Sequence, residues 1–163
     1  MPSLMLQAVQ SEQERIKSIF MKQDGDLRQI LDIIQEYRLK ELIPSRRNVA
    51  VARVQINPDR GAIGWGEDLV AVSGTKTPAG SVPMPEDPLF EAFEVPPGHD
   101  RRFDTEYKLL EAIASRCTPE AIGLVTLVTE RSPCPSCASV IQQFRERFPG
   151  IQLTVLDRQG QTH

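Results

Sequence analysis

Several things are scarce in this chain of 163 residues. It holds three cysteines and two histidines, too few for the disulfide framework of a small stapled scaffold. Positive charge is not in excess. Nineteen Lys and Arg stand against 22 Asp and Glu, a formal net charge of -3 and a pI near 5.5. That balance argues against a broad basic surface for duplex nucleic acid, which works by neutralising phosphates, although a small local basic patch is still allowed. No apolar run approaches the roughly 20 residues needed to cross a bilayer. The N-terminus also lacks the charged-then-apolar order of a secretory leader. The chain therefore reads as soluble, with no membrane partner, and internal repeats and low-complexity tracts are absent too.

What is present divides into two parts, a helical segment over residues 1–44 and an α/β domain over 45–163. In the first, Ile16, Ile19 and Phe20 share a helical face, and Leu27, Ile30, Leu31 and Ile34 recur at spacings of three and four. The intervening "KQDGD" predicts two helices joined at Gly25, packing outside the core domain or linking it to something upstream. From Asn48 the pattern changes to near-alternation. "NVAVARVQI" and "WGEDLVAVSG", separated by "NPDRGAIG", predict a β-hairpin with a longish loop. Residues 75 to 102 hold six of the 13 prolines and form either a functional loop or a partly mobile one. Beyond them come a helix from residue 105, the continuous apolar run "AIGLVTLVTE" of a strand buried on both faces, a helix over "CASVIQQFRERF" and a last strand, "IQLTVLD". Strand alternating with helix implies parallel crossovers, hence a mixed sheet with a β-hairpin followed by parallel strands, flanked by helices.

Catalytic residues in such sheets gather where parallel strands end and helices begin. Two motifs fall there. "FDTE" opens the helix at 105 and places Asp104 two residues before Glu106; "SPCPSC" places Cys134 and Cys137 on the first turn of the next helix. Thiolates three apart on a helical turn are good zinc ligands, and a catalytic zinc site uses three protein ligands with one position left open. Asp104 is the candidate third ligand and Glu106 the nearby non-coordinating proton carrier. His99, chemically the better ligand but seven residues before Glu106, is the rival. Each motif also has a plainer meaning. Asp104 could simply cap its helix, although a capping box would want Glu or Gln where Tyr107 stands. The CxxC could be a redox pair or half of a structural zinc site, but no second CxxC or HxxxH exists to complete the latter. Cys117, in "IASRCTPEA", reads as a small, partly buried apolar residue.

The order of a ligand two before a Glu, then Pro-Cys-x-x-Cys on the following helix, resembles the signature of zinc-dependent nucleobase and nucleoside deaminases. Here it reads Asp104-Thr105-Glu106 and Pro133-Cys134-Pro135-Ser136-Cys137. More narrowly, "DTEYKLLEAIA" with "TERSPCPSCASVIQQFRERFPGIQLTV" is similar to bacterial deaminases that form the C-terminal domains of polymorphic secreted toxins. The resemblance spans about residues 48 to 157 and implies the cytidine-deaminase-like three-layer fold with an N-terminal helical extension. It also implies a zinc cofactor held by Asp104, Cys134 and Cys137, with Glu106 as the catalytic acid and base that converts cytosine to uracil. Many deaminases carry His where Asp104 stands. The Asp-Cys-Cys set has a net charge of -1 around Zn²⁺, which makes the activated water less acidic and Glu106 a stronger base.

The substrate expected from that resemblance is nucleic acid, with single-stranded DNA favoured; RNA, free nucleosides and a non-enzymatic zinc-stabilised binding module are the alternatives. A cognate immunity protein is the implied protein partner, and delivery into the cytoplasm of a target cell the implied localisation. Ser132 is expected to touch the base through its main chain, again by resemblance. Trp65, flanked by glycines, is the favoured stacking residue among Trp65, Phe90, Phe93 and Phe103. Arg46, Arg47, Arg101, Arg102 and Arg131 are candidates to steer a phosphate backbone, with the Arg101–Arg102 pair foremost.

Overall fold

A computed structural model describes residues 3–59 and 63–163, with the backbone alone for Ile19 and Phe20. The expected Ile16–Ile19–Phe20 face and the middle of the hairpin loop therefore lie partly outside the described residues. The elements run α1 (Leu4–Glu41), β1 (Val49–Asn57), β2 (Trp65–Val72), a 3₁₀ turn (Arg101–Phe103), α2 (Thr105–Ala114), β3 (Ile122–Thr129), α3 (Pro135–Arg147) and β4 (Ile151–Leu156).

The four strands form one mixed sheet in the order β2-β1-β3-β4. β1 is antiparallel to both of its neighbours, whereas β3 and β4 are parallel. β2 and β3 therefore point the same way with β1 between them, and both α2 and α3 are crossovers between strands of like direction. One face of the sheet presents Ala50, Ala52, Val54, Val125, Leu127 and Val155 to α2 and α3, which contribute Leu109, Leu110, Ile113, Val140, Ile141 and Phe144. The small alanines of β1 let the helices approach closely. The opposite face presents Val49, Val51, Val72, Val128 and Leu156 to Ile30 and Ile34 of α1. The result is three layers: helix, sheet, helices. Gly123, at φ +139°, sits where a Cβ would lie 2.4 Å from the Gln55 carbonyl oxygen, so β3 can pass β1 there only as glycine.

One expectation is corrected. α1 is a single helix of 38 residues and not two joined at Gly25. An interior glycine costs a helix only about 1 kcal/mol, and here neighbouring contacts offset it. Asp24 pairs with Arg28 at 3.0 Å, Asp26 and Gln29 accept from Arg53 of β1 at 3.1 and 2.8 Å, and Ile30 and Ile34 are wholly enclosed. The second half of α1 is thus a layer of the α/β unit.

The proline-rich stretch is strapped down. The backbone N–H groups of Leu89 and Phe90 donate to the buried Glu111 carboxylate at 2.8 and 2.6 Å. Tyr107 donates its hydroxyl to the Phe90 carbonyl, and the Phe93 N–H donates to Ser136 Oγ. These bonds fasten the segment along α2 and α3, and its last residues then turn over the mouth of a cleft.

Candidate active site

The C-terminal ends of β2 and β3, the N-terminal end of β1 and the first turns of α2 and α3 all meet at one end of the sheet. A cleft of about 580 Å³ opens there, lined among others by Asn48, Gly74, Phe103, Thr105, Glu106 and Ser132.

Asp104 occupies the N-cap position of α2 in extended conformation, yet its side chain makes no capping bond. The carboxylate turns instead to the thiols of α3: Oδ2 lies 3.2 Å from Cys137 Sγ and 3.6 Å from Cys134 Sγ. Cys134 in turn is the N-cap of α3, again without a side-chain cap, and Pro135 fills the first helical position, where a missing N–H costs nothing. The three donor atoms all lie within 4.8 Å of one another and could hold a metal ion. Burial, then the negative charges of Glu106 and Asp104, push the Cys137 thiol far above its usual range. Two thiols and two carboxylates crowded in this way can all be ionised only around a cation, so the donor set fits a metal such as zinc with one coordination position left open.

Glu106 lies one helical step inward and is almost wholly buried. Burial raises its pKa most, and the Asp104 charge adds to the rise; hydrogen bonds from its own backbone, Thr129 and Thr105 oppose it. The Thr105 hydroxyl donates to Glu106 Oε2 at 3.1 Å. A carboxyl held in this way is protonated more readily than a free one, which suits a group that must take and return a proton.

Asn48, which sequence reasoning missed, completes the floor. Its Nδ2 donates to the hydroxyls of Thr105 and Thr129, both at 2.9 Å, while its buried Oδ1 has no partner. A buried acceptor without a partner is uncommon in a folded interior, where nearly all such groups are hydrogen-bonded. Only the placement of β1 between β2 and β3 brings it there; in the sequence it is just the first residue of an alternating run. Lys108, also missed, lies below the cleft, donating to the Val72 and Gly74 carbonyls at 2.7 Å each. Burial lowers its pKa to about 8.

The other expected residues divide. His99 sits exposed on the cleft wall and is not in the donor cluster formed, among the described residues, by Asp104, Cys134 and Cys137. Ser132 lines the cleft, with its Oγ 3.5 Å from Asp157 Oδ2. Arg131 spans the cleft edge, donating to the Ser45 and Arg46 carbonyls. Arg101 donates to the Val95 carbonyl and lies 3.5 Å from Asp104, and Arg102 is taken up by Asp100. Trp65 is not brought to the cleft. It pairs with Ile56 at the far end of the sheet, with the Arg116 guanidinium 3.7 Å above its ring. Cys117 packs against the core, and burial pushes its thiol up to about 11.

A family model described as the BURPS668_1122 family of deaminases, toxin deaminases, matches residues 38–159. The chain belongs to this family. As a toxin deaminase it belongs to proteins whose chemistry is hydrolytic deamination, in keeping with a cluster able to hold a metal beside a buried glutamate. No curated protein and no solved structure matches it significantly. No described helix is long and apolar enough to cross a membrane.

Proposed function

We propose that this domain deaminates cytosine to uracil in nucleic acid, with single-stranded DNA as the preferred substrate and zinc as the cofactor. The observation that carries the reading is the placement of buried Glu106 beside the Asp104–Cys134–Cys137 cluster at the floor of an open cleft. Zinc held by those three residues would supply the positive charge that acidifies a water molecule at neutral pH. Glu106 takes the proton released as the water oxygen bonds to C4 and passes it to N3; it then takes the proton of the new C4 hydroxyl and passes it to the amine, and the C4–N4 bond breaks to leave uracil and ammonia. The unfilled Asn48 Oδ1 accepts a hydrogen bond from the substrate, and Thr105 and Thr129 hold the asparagine in that orientation. Ser132 lies on the path a base would take into the cleft, and Arg131 fixes the rim beside it.

Unpaired DNA suits the acidic overall charge, because a single strand needs only local cations and an accessible base. The toxin family name supports delivery into a target cell as part of a larger protein and a cognate immunity protein that covers the cleft. The test is a uracil-excision assay on single- and double-stranded oligonucleotides, run beside mass spectrometry of RNA and of free cytidine. Uracil in the single strand is expected. Ammonia from free cytidine with the polymers untouched would overturn the substrate, and full activity in a folded, zinc-loaded Glu106→Ala variant would overturn the mechanism.

A further inference from the structure

The turn between α1 and β1 forms one wall of the cleft, and its backbone is held in an unusual way. Arg38, on the last turn of α1, donates to the carbonyls of Ile43 and Pro44 at 3.4 and 3.2 Å and also to that of Arg47. Arg131, arriving from the end of β3, donates to the carbonyls of Ser45 and Arg46 at 3.2 and 3.0 Å. Five consecutive carbonyls are therefore held by two guanidinium groups. Arg38 is itself fixed by Glu130 at 2.5 Å, a pair largely shielded from solvent. Arg47 is occupied as well, donating to the carbonyls of Ser73 and Lys76 at 2.5 and 2.6 Å.

That leaves Arg46. Its side chain is exposed, lines the cleft and makes no hydrogen bond or ion pair among the described residues, whereas Arg47, Arg101 and Arg131 on the same walls are each committed to protein oxygens. A free guanidinium on a turn whose backbone is held need break no protein contact to meet an anion, and its planar fork matches phosphate.

We propose that Arg46 binds the phosphate of a nucleotide adjoining the target base, so that the cleft selects phosphate-linked substrate over free nucleoside. The proposal rests on the reading of the cleft as a nucleic-acid deaminase site. A backbone phosphodiester and the phosphate of a free mononucleotide present the same chemistry; the polymer is favoured because the cleft is open, with its cation at the rim and the proposed reaction centre at its floor.

The test measures binding of a single-stranded DNA oligonucleotide with one central cytosine, of 5′- and 3′-deoxycytidine monophosphate, and of deoxycytidine, to zinc-loaded protein across a salt series. The wild type, Arg46→Ala, Arg46→Lys and, as a control, Arg147→Ala at the exposed last turn of α3 are compared. Arg46→Ala is expected to weaken oligonucleotide binding about five- to tenfold and to make the slope of log K against log salt shallower by about 0.7, the value for one single-strand phosphate contact. Arg46→Lys should restore the slope but only part of the affinity. Unchanged affinity and slope in Arg46→Ala, with the wild type still binding the oligonucleotide, would overturn the role of Arg46 and leave the deaminase reading intact. Loss confined to a mononucleotide would overturn the assignment to the polymer backbone. Failure of the wild type to bind any single strand would overturn the nucleic-acid reading itself.

Discussion

The two ends of the central sheet differ in what they bury. Where β3 ends, Asn48, Thr105, Glu106, Lys108 and Thr129 are all enclosed, and one of their polar atoms is left without a partner. Where β3 begins, Ile56 and Trp65 close the core, Ile122 reaches into solvent, and the indole N–H finds Glu67 at 2.9 Å. Among the described residues, the far end is built as a stable fold is built, apolar inside and satisfied. The cleft end carries buried carboxyls, thiols and an amine that folding alone does not require. Groups that cost stability gather where a ligand compensates them.

Substitutions at the two ends should separate these roles. The largest effect is expected from Asp104→Ala. Turnover should fall by about a thousandfold or more, equivalent to about 4 kcal/mol of barrier, with metal content lost in elemental analysis and the zinc-free melting temperature little changed. Trp65→Ala should reverse that profile. Stability falls by about 3 kcal/mol in denaturant titration, while kcat of the remaining folded protein stays within a factor of two or so. A Trp65 variant that is stable but inactive would break the contrast between the ends.

Asn48→Ala tests whether one residue serves both purposes. It deletes two buried hydrogen bonds and the empty acceptor, so about 2 kcal/mol of stability and a tenfold or larger share of kcat/KM should go together. The smallest effect concerns Lys108. Its folded value of about 8 lies below the ordinary 10.5, so between those pH values the unfolded chain binds more protons than the folded one. Stability should therefore rise with pH across that window and be lost as pH falls through 8. Measured against Lys108→Met, the wild type should gain on the order of 1–2 kcal/mol between pH 8 and pH 10. A flat difference would mean that the two carbonyls hold the amine charged.

Much of this arrangement is legible in the chain itself. The 2.0 and 3.6 periodicities locate the strands and the two crossover helices to within a few residues, because both are local consequences of which face is buried. The juxtaposition of "FDTE" with "PCPSC" follows from two helix starts sharing one end of a parallel pair. Other features depend on partners far away in sequence. Asn48 acquires its meaning from Thr105 and Thr129, and Arg38 from Glu130, 92 residues distant. Gly25 reads as a break because its backbone penalty is local, while the contacts that override it belong to Arg53 on another element. Trp65, flanked by glycines, reads as a residue free to stack on a base, yet it pairs with Ile56 in the sheet, away from the cleft.

The tie from α1 to the cleft sets a practical boundary on the domain. The family match begins at residue 38, the position of the arginine that grips the 43–47 turn. Holding that arginine in place requires the helix before it, anchored through Ile30 and Ile34. A fragment cut at residue 45 would keep every proposed metal and proton-transfer residue and still lose the wall that carries Arg46. A fragment starting near residue 25 should retain it, which makes the second half of this helix part of the smallest working unit.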